Sequence, residues 1–201
     1  TNVGISYAHA DVKTEKTARV EDVVLNDVGS AASSVDVNAR DDALLYTVAI
    51  GVGVGSGRLS GVGSVAVNRL NNKVLAEIGE WDGDDAGSIN TTNASVLAQN
   101  DMDLINVAGS IAATSGSGTS NAGGLAVALN LVGTDEHSTK ARISNTALNV
   151  SDDLTVKASA GSSDDENLLV GNAIGVGVST GQSGFAFAGA LGINNVDQTV
   201  E

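Results

Sequence analysis

The chain has 201 residues, 24 acidic and 10 basic side chains for a net charge of −14, 25 glycines, and neither proline nor cysteine. That balance excludes a nucleic-acid binder, because no basic stripe is present to neutralise phosphates, and the lack of cysteine excludes a disulfide framework and Cys-ligated zinc. An apolar fraction of 42% with only 2% aromatic residues belongs to a folded chain whose core is built from Val, Leu, Ile and Ala.

At Thr1 there is no leader of charged, then apolar, then small residues, so the chain reads as a piece of a longer polypeptide. The first alternating segment contains Ala18-Arg19-Val20, and a second runs through Val35-Asp36-Val37-Asn38-Ala39. Next comes Leu45-Tyr46-Thr47-Val48-Ala49-Ile50-Gly51-Val52-Gly53-Val54, then a Gly/Ser turn at Gly55-Ser56-Gly57, then Ser64-Val65-Ala66-Val67-Asn68. The same four patterns then recur in the same order. Ala76-Glu77-Ile78 and Ala141-Arg142-Ile143 repeat the first, and Ala94-Ser95-Val96-Leu97-Ala98 and Leu154-Thr155-Val156-Lys157-Ala158 the second. The third returns weakly at Leu104-Ile105-Asn106-Val107-Ala108 and strongly at Leu169-Val170-Gly171-Asn172-Ala173-Ile174-Gly175-Val176-Gly177-Val178. The fourth returns at Ala126-Val127-Ala128-Leu129-Asn130 and Ala188-Gly189-Ala190-Leu191-Gly192-Ile193-Asn194-Asn195. Val37, Val96 and Val156 are 59 and then 60 residues apart, and Val20, Ile78 and Ile143 are 58 and then 65 apart. The chain is therefore a repeat of about sixty residues over 1–201, one continuous segment.

Apolar residues alternate with small or polar ones throughout, which is the strand period of two. Val48, Ile50, Val52 and Val54 share one face, and Ala49, Gly51 and Gly53 the other, narrow enough for another sheet to approach. Val35, Val37 and Ala39 share a face opposite the water-facing Asp36 and Asn38. Strands with one apolar face bury it by stacking, which predicts an all-β parallel β-helix. At ~20 residues per coil, with coils stacked about 4.8 Å apart, the expected rod is roughly 45–50 Å long. The rival arrangement pairs 48–55 with 62–68 as an antiparallel hairpin, alone or decorating the β-helix. Asn68, Asn71, Asn72, Asn130, Asn194 and Asn195 are read at strand ends, either as ordinary turn residues or as amide ladders from coil to coil. Residues 104–134 and 167–196 carry no charge, but Gly, Ser, Asn and Thr interrupt them, so no spanning helix is expected.

Rungs of the form AxIxxxxLNVxxxLTVxA, here residues 141–158, resemble those of filamentous-haemagglutinin-type proteins. The block LYTVAIGVGVGSGRLSGVGSVAVNRLNNK, residues 45–73, resembles repeats of giant secreted bacterial adhesins and leukotoxin-type exoproteins. The resemblance covers nearly the whole chain. It implies a right-handed parallel β-helix exported by a two-partner or autotransporter-like route and working outside the cell or on its surface. It carries no catalytic motif, so no catalytic, cofactor-binding or metal-binding residue follows from it.

The residues themselves supply little chemistry. His9 and His137 occupy different registers of the repeat, and no Ser-His-Asp order with a nucleophile elbow is present. The string Gly51-Val52-Gly53-Val54-Gly55 runs on as strand, whereas a phosphate cradle needs a helix N-terminus. Asp82-Gly83-Asp84-Asp85, Asp101-Met102-Asp103, Asp152-Asp153 and Asp164-Asp165-Glu166 either converge on calcium or keep an apolar rod soluble. They lack both the EF-hand loop and the Gly-Gly-x-Gly-x-Asp repeat, and the solubilising reading is preferred. Trp81, in Gly79-Glu80-Trp81-Asp82-Gly83, is the candidate contact to a partner, with a local cap as the other reading. The aromatic supply for a glycan-processing groove is Tyr7, Tyr46, Trp81, Phe185 and Phe187, and no basic residue follows Lys157. The expected function is non-enzymatic and cofactor-free: a stalk or adhesive surface for host or bacterial surface proteins or glycans. A membrane-inserting segment is the alternative, and a polysaccharide-processing enzyme ranks third.

Overall fold

Period-two alternation runs for twenty or more residues at a stretch, and without proline nothing forces a gap in a backbone ladder. The computed structural model describes residues 1–25, 32–79, 87–134, 137–161 and 167–201. The chain is all-β. The strands are β1 (Asn2–Val20), β2 (Val24–Leu25), β3 (Ala32–Gly55), β4 (Leu59–Ile78), β5 (Gly87–Thr114), β6 (Asn121–Val132), β7 (Ser138–Ile143), β8 (Thr146–Val150), β9 (Leu154–Ala160), β10 (Leu168–Ser179), β11 (Ala186–Val196) and β12 (Thr199–Val200).

They form two sheets, and every strand pairing among the described residues is parallel. In the first sheet β1 pairs with β4, β4 with β6 and β7, and these with β11 and β12 in turn. In the second, β2 and β3 pair with β5, and β5 with β8, β9 and β10. Successive long strands alternate between the sheets. β3 packs against both β1 and β4, β5 against β4 and β6, and β10 against β6 and β11. The repeat columns become ladder partners: Val37 lies beside Val96 and Val96 beside Val156, while Arg19 lies beside Glu77 and Glu77 beside Arg142.

Three expectations are corrected. The sixty-residue unit is one pass through each sheet, not three coils of twenty, so the first sheet spans only about 14 Å across its strands at ~4.8 Å per step. The polar segments that read as coil corners continue as strand because their side chains are bonded inside. Asp41 in β3 accepts from Thr14 Oγ1 at 2.6 Å, and Asn72 in β4 donates to Asn100 Oδ1 at 3.3 Å. The antiparallel hairpin is also absent among the described residues, since β3 and β4 lie in different sheets and the three residues 56–58 arch from one to the other.

The interior changes character along the strands. At one end Val35, Val37, Val74, Ile78, Ile89 and Val96 form a core of full-sized side chains. Leu45, Leu70, Met102, Leu104 and Val132 fill the middle. Towards the arch only Ala49, Ala66, Ala108, Ala126 and Ala128 remain, followed by Val62, Ala112 and Ala122. There the sheets approach backbone to backbone: a Cβ on Gly175 would lie 2.9 Å from Gly124 O and collide with Gly189 O. At the opposite corner Gly79 takes φ +88° and donates to Val20 O at 2.7 Å, while Asp22 and Asn145 take φ of 52° and 46° in the equivalent connections after β1 and β7. Asn and Asp tolerate this left-handed conformation better than other residues with a side chain.

Candidate functional site

Alternation decides which side chains face inward, and it turns asparagine into a structural element. Asn68, Asn130 and Asn194 are partners on adjacent strands with their amides inside the sandwich. Asn68 Nδ2 donates to Asn130 Oδ1 at 3.0 Å, and Asn130 Nδ2 to Asn194 Oδ1 at 2.9 Å. Each also donates across to carbonyls of the facing sheet, Asn68 to Ile105 O at 3.1 Å and Asn130 to Val170 O at 2.9 Å. Thr47 Oγ1 closes the ladder by donating to Asn68 Oδ1. Of the two readings of these asparagines, the ladder is what forms, and it lies within β4, β6 and β11 rather than at strand ends. Asn72 joins a second polar group with Asn100 and His137, whereas Asn195 is exposed.

His137 is buried. Its Nδ1 lies 3.2 Å from the Asn72 backbone N–H, which donates to it, and its Nε2 lies 3.3 Å from Asn100 Nδ2. Burial pushes its pKa below the usual histidine value, against the opposing charges of Asp197 and Asp41. His9 is exposed on β1, tilted against Tyr7 with ring centroids 6.1 Å apart, and its ladder partner is Val67. The histidines occupy separate rows, one outside and one inside.

On the outer face of the first sheet Glu77 sits between two arginines. It accepts from Arg19 Nε at 2.9 Å, Arg142 Nε at 2.8 Å and Ser144 Oγ at 2.8 Å, and is fully buried. Burial pushes its pKa up, but hydrogen bonds from Arg142 and Ser144 and the charges of Arg142 and Arg19 outweigh it and leave a net lowering. The signal was present in the sequence as a repeat column reading Arg, Glu, Arg.

A depression of about 560 Å³ opens on the outer face of the second sheet, lined in part by Arg40, Asp42, Asp101 and Asp103. Arg40 bonds Asp42 Oδ1 and Asp101 Oδ2, both at 3.0 Å, which leaves one cation against three carboxylates. Asp101 has its pKa raised by burial and by a hydrogen bond shared with Asp42, against Gln99 and Arg40. Its Oδ1 is enclosed and has no hydrogen-bond partner. Among the described residues no three His, Asp or Glu side chains are grouped as a metal site. Asp152 and Asp153 lie in the exposed bend between β8 and β9, while 82–85 and 164–166 lie outside the described residues.

The feature that alternation did not reveal is the direction of the large apolar residues near the arch. Ile50 is 60%, Val52 65% and Val54 71% exposed, while Ala49, on the narrow Gly/Ala face, is buried at 1%. The Asn, Ser and Thr side chains need the interior, and a three-residue arch holds the sheets too close for valine on both inner faces. The outer face of the second sheet therefore carries rows Tyr46–Ile105–Val170, Ile50–Gly109–Ile174, Val52–Ile111–Val176 and Val54–Ala113–Val178. The outer face of the first carries Ile5–Gly63–Leu125–Gly189 and Tyr7–Val65–Val127–Leu191. Phe187, the partner of Gly123, lays its ring over that glycine. Tyr7 and Tyr46 are on opposite outer faces, so the described aromatic residues do not line one groove.

Trp81, the candidate partner contact, lies outside the described residues. The Gly51 to Gly55 string lies wholly inside β3, with no helix beside it. No helix of the described chain is long and apolar enough to cross a membrane. Comparison with protein families, with curated proteins and with solved structures finds no match.

Proposed function

We propose that the chain is a β-solenoid segment, a parallel β-helix of sixty-residue turns, that serves as stalk or adhesive surface in a large secreted or surface-exposed bacterial exoprotein. The observation that carries this reading is the in-register stacking of repeat columns, with Val37, Val96 and Val156 side by side in one sheet and Asn68, Asn130 and Asn194 forming a ladder in the other. Such stacking makes stiffness additive: each turn rests on its neighbours, and each outward position becomes a row of variants of one residue. Function is then presentation, with host or bacterial surface proteins or glycans as the ligands and no chemical step. Its working place is outside the cell, as the resemblance to haemagglutinin-like exoproteins implies. The test is antibody labelling of intact cells of the source bacterium, followed by protein and glycan arrays with the purified chain. Surface labelling with saturable array binding is expected; labelling only after permeabilisation overturns the reading.

A membrane-inserting segment is the second reading, favoured by one observation. The apolar rows extend about ten residues without charge, or roughly 33 Å at 3.3 Å per residue, near the ~30 Å of a bilayer core. The free edges of β3 and β10 count against it, because unpaired backbone groups are costly in hydrocarbon. Dye release from vesicles at nanomolar protein would favour this second reading over presentation.

A further inference from the structure

The outer face of the second sheet is long, uncovered, and free of charge from the row of Tyr46 and Ile105 to the arch. We propose that it is a homodimer interface, on which a second copy of this chain packs face to face with its strands antiparallel. Three observations select that occupant and that orientation, independently of the function proposed above.

The first is area. Twelve residues at ~3.3 Å by three strands at ~4.8 Å give about 560 Å² per copy, or roughly 1,100 Å² in a dimer. That clears the size expected of a specific contact, and aligned packing of two sheet faces is a standard geometry. The second is charge. One end of the face holds the row of Asp42, Asp101 and Asp103, balanced only by Arg40; the other ends at the arch, whose single charged side chain is Arg58. Arg58 is exposed and makes no ion pair among the described residues. An antiparallel pair sets each arch over the other copy's acidic row, whereas a parallel pair sets acidic row on acidic row. The third is contrast with the first sheet. Its outer face is broken by glycines at 61, 63, 123 and 189, and the pair at its base, Asp11 with Arg69 at 3.8 Å, leaves nothing to attract an arginine.

The antiparallel dimer brings Val54 of one copy over Tyr46 of the other and Arg58 over Asp42, with the two-fold axis near Gly109, the ladder partner of Ile50, and covers Ile50, Val52, Ile111 and Ile174 on both copies. Sedimentation equilibrium on the whole chain tests this, with circular dichroism confirming that each variant folds. The expected result is a dimer at tens of micromolar, weakened at least tenfold by Ile50→Glu and severalfold by Arg58→Glu. Adding Asp42→Lys to Arg58→Glu should restore the dimer, which a merely structural effect of either change would not do. A chain that stays monomeric at 100 μM overturns the proposal, as does a dimer indifferent to Ile50→Glu. So does a monomer whose only Ile50→Glu phenotype is lost binding to phosphatidylcholine vesicles, because the face would then be lipid-facing.

Discussion

Replacing Asn130 with alanine removes the middle of the buried amide ladder. Asn130 Nδ2 donates to Asn194 Oδ1 and to Val170 O, both at 2.9 Å, and its Oδ1 accepts from Asn68 Nδ2 at 3.0 Å. With each net hydrogen bond worth about 1 kcal/mol and buried groups left unpaired costing about 1 more, the substitution should destabilise the chain by roughly 4 kcal/mol. Asn194→Ala is the internal control. It loses the acceptor of Asn130 and one exposed bond to Leu169 O at 3.1 Å, so it should cost about 2 kcal/mol. Urea titration of both variants reads the difference as a shift in midpoint at constant slope. If Asn130→Ala costs no more than Asn194→Ala, the ladder is not a source of stability and the reasoning fails.

Glu77→Gln should cost about 2 kcal/mol, below the usual figure for a broken buried pair because Arg19 and Arg142 keep about a third of their surface in water. Since the folded-state pKa of Glu77 is lowered, its contribution is present above the unfolded glutamate value and lost as pH falls through the folded one; acid titration of stability should show that loss in the wild type and not in Glu77→Gln. His137 has a lowered pKa, so the unfolded chain takes up its proton first. Stability should therefore fall on going from about pH 7 towards pH 5, and His137→Gln should flatten that slope in denaturant titrations at each pH. Gly175→Ala should cost about 1–3 kcal/mol by overpacking against the Gly189 and Gly124 carbonyls, whereas Gly4→Ala, with nothing within 4 Å of its Cβ, should be neutral in thermal melts.

Strand class, parallel stacking and the repeat columns were legible because alternation and a sixty-residue period both survive in the sequence. Val37, Val96 and Val156 could be aligned by counting. What counting could not supply was how many times the chain turns within a period. Asn68 and Asn72 look like turn residues in one dimension, and only a partner strand shows that their side chains are bonded inside. The same limit hid the direction of the apolar face. A run such as Val48-Ala49-Ile50-Gly51 states that two faces differ, but whether Val or Gly faces inward depends on the separation of the sheets. At Val35-Asp36-Val37 the large residue goes in; near the three-residue arch it goes out. The Arg19–Glu77–Arg142 row was visible as letters and became an ion-pair row only once the register set its members on adjacent strands.

The central claim is that one sixty-residue period equals one step across a parallel sheet, and a single cross-link tests it. Asp36 and Ser95 are ladder partners with outward side chains, and the chain has no native cysteine to interfere. Paired strands place their Cα atoms about 4.8 Å apart, inside the range a disulfide spans. In a stack of twenty-residue coils they would be three steps, about 14 Å, apart. Asp36→Cys combined with Ser95→Cys should therefore oxidise to an intramolecular disulfide, read by peptide mass mapping, with the folded spectrum retained. A folded double variant that stays reduced under the same oxidant would contradict the account.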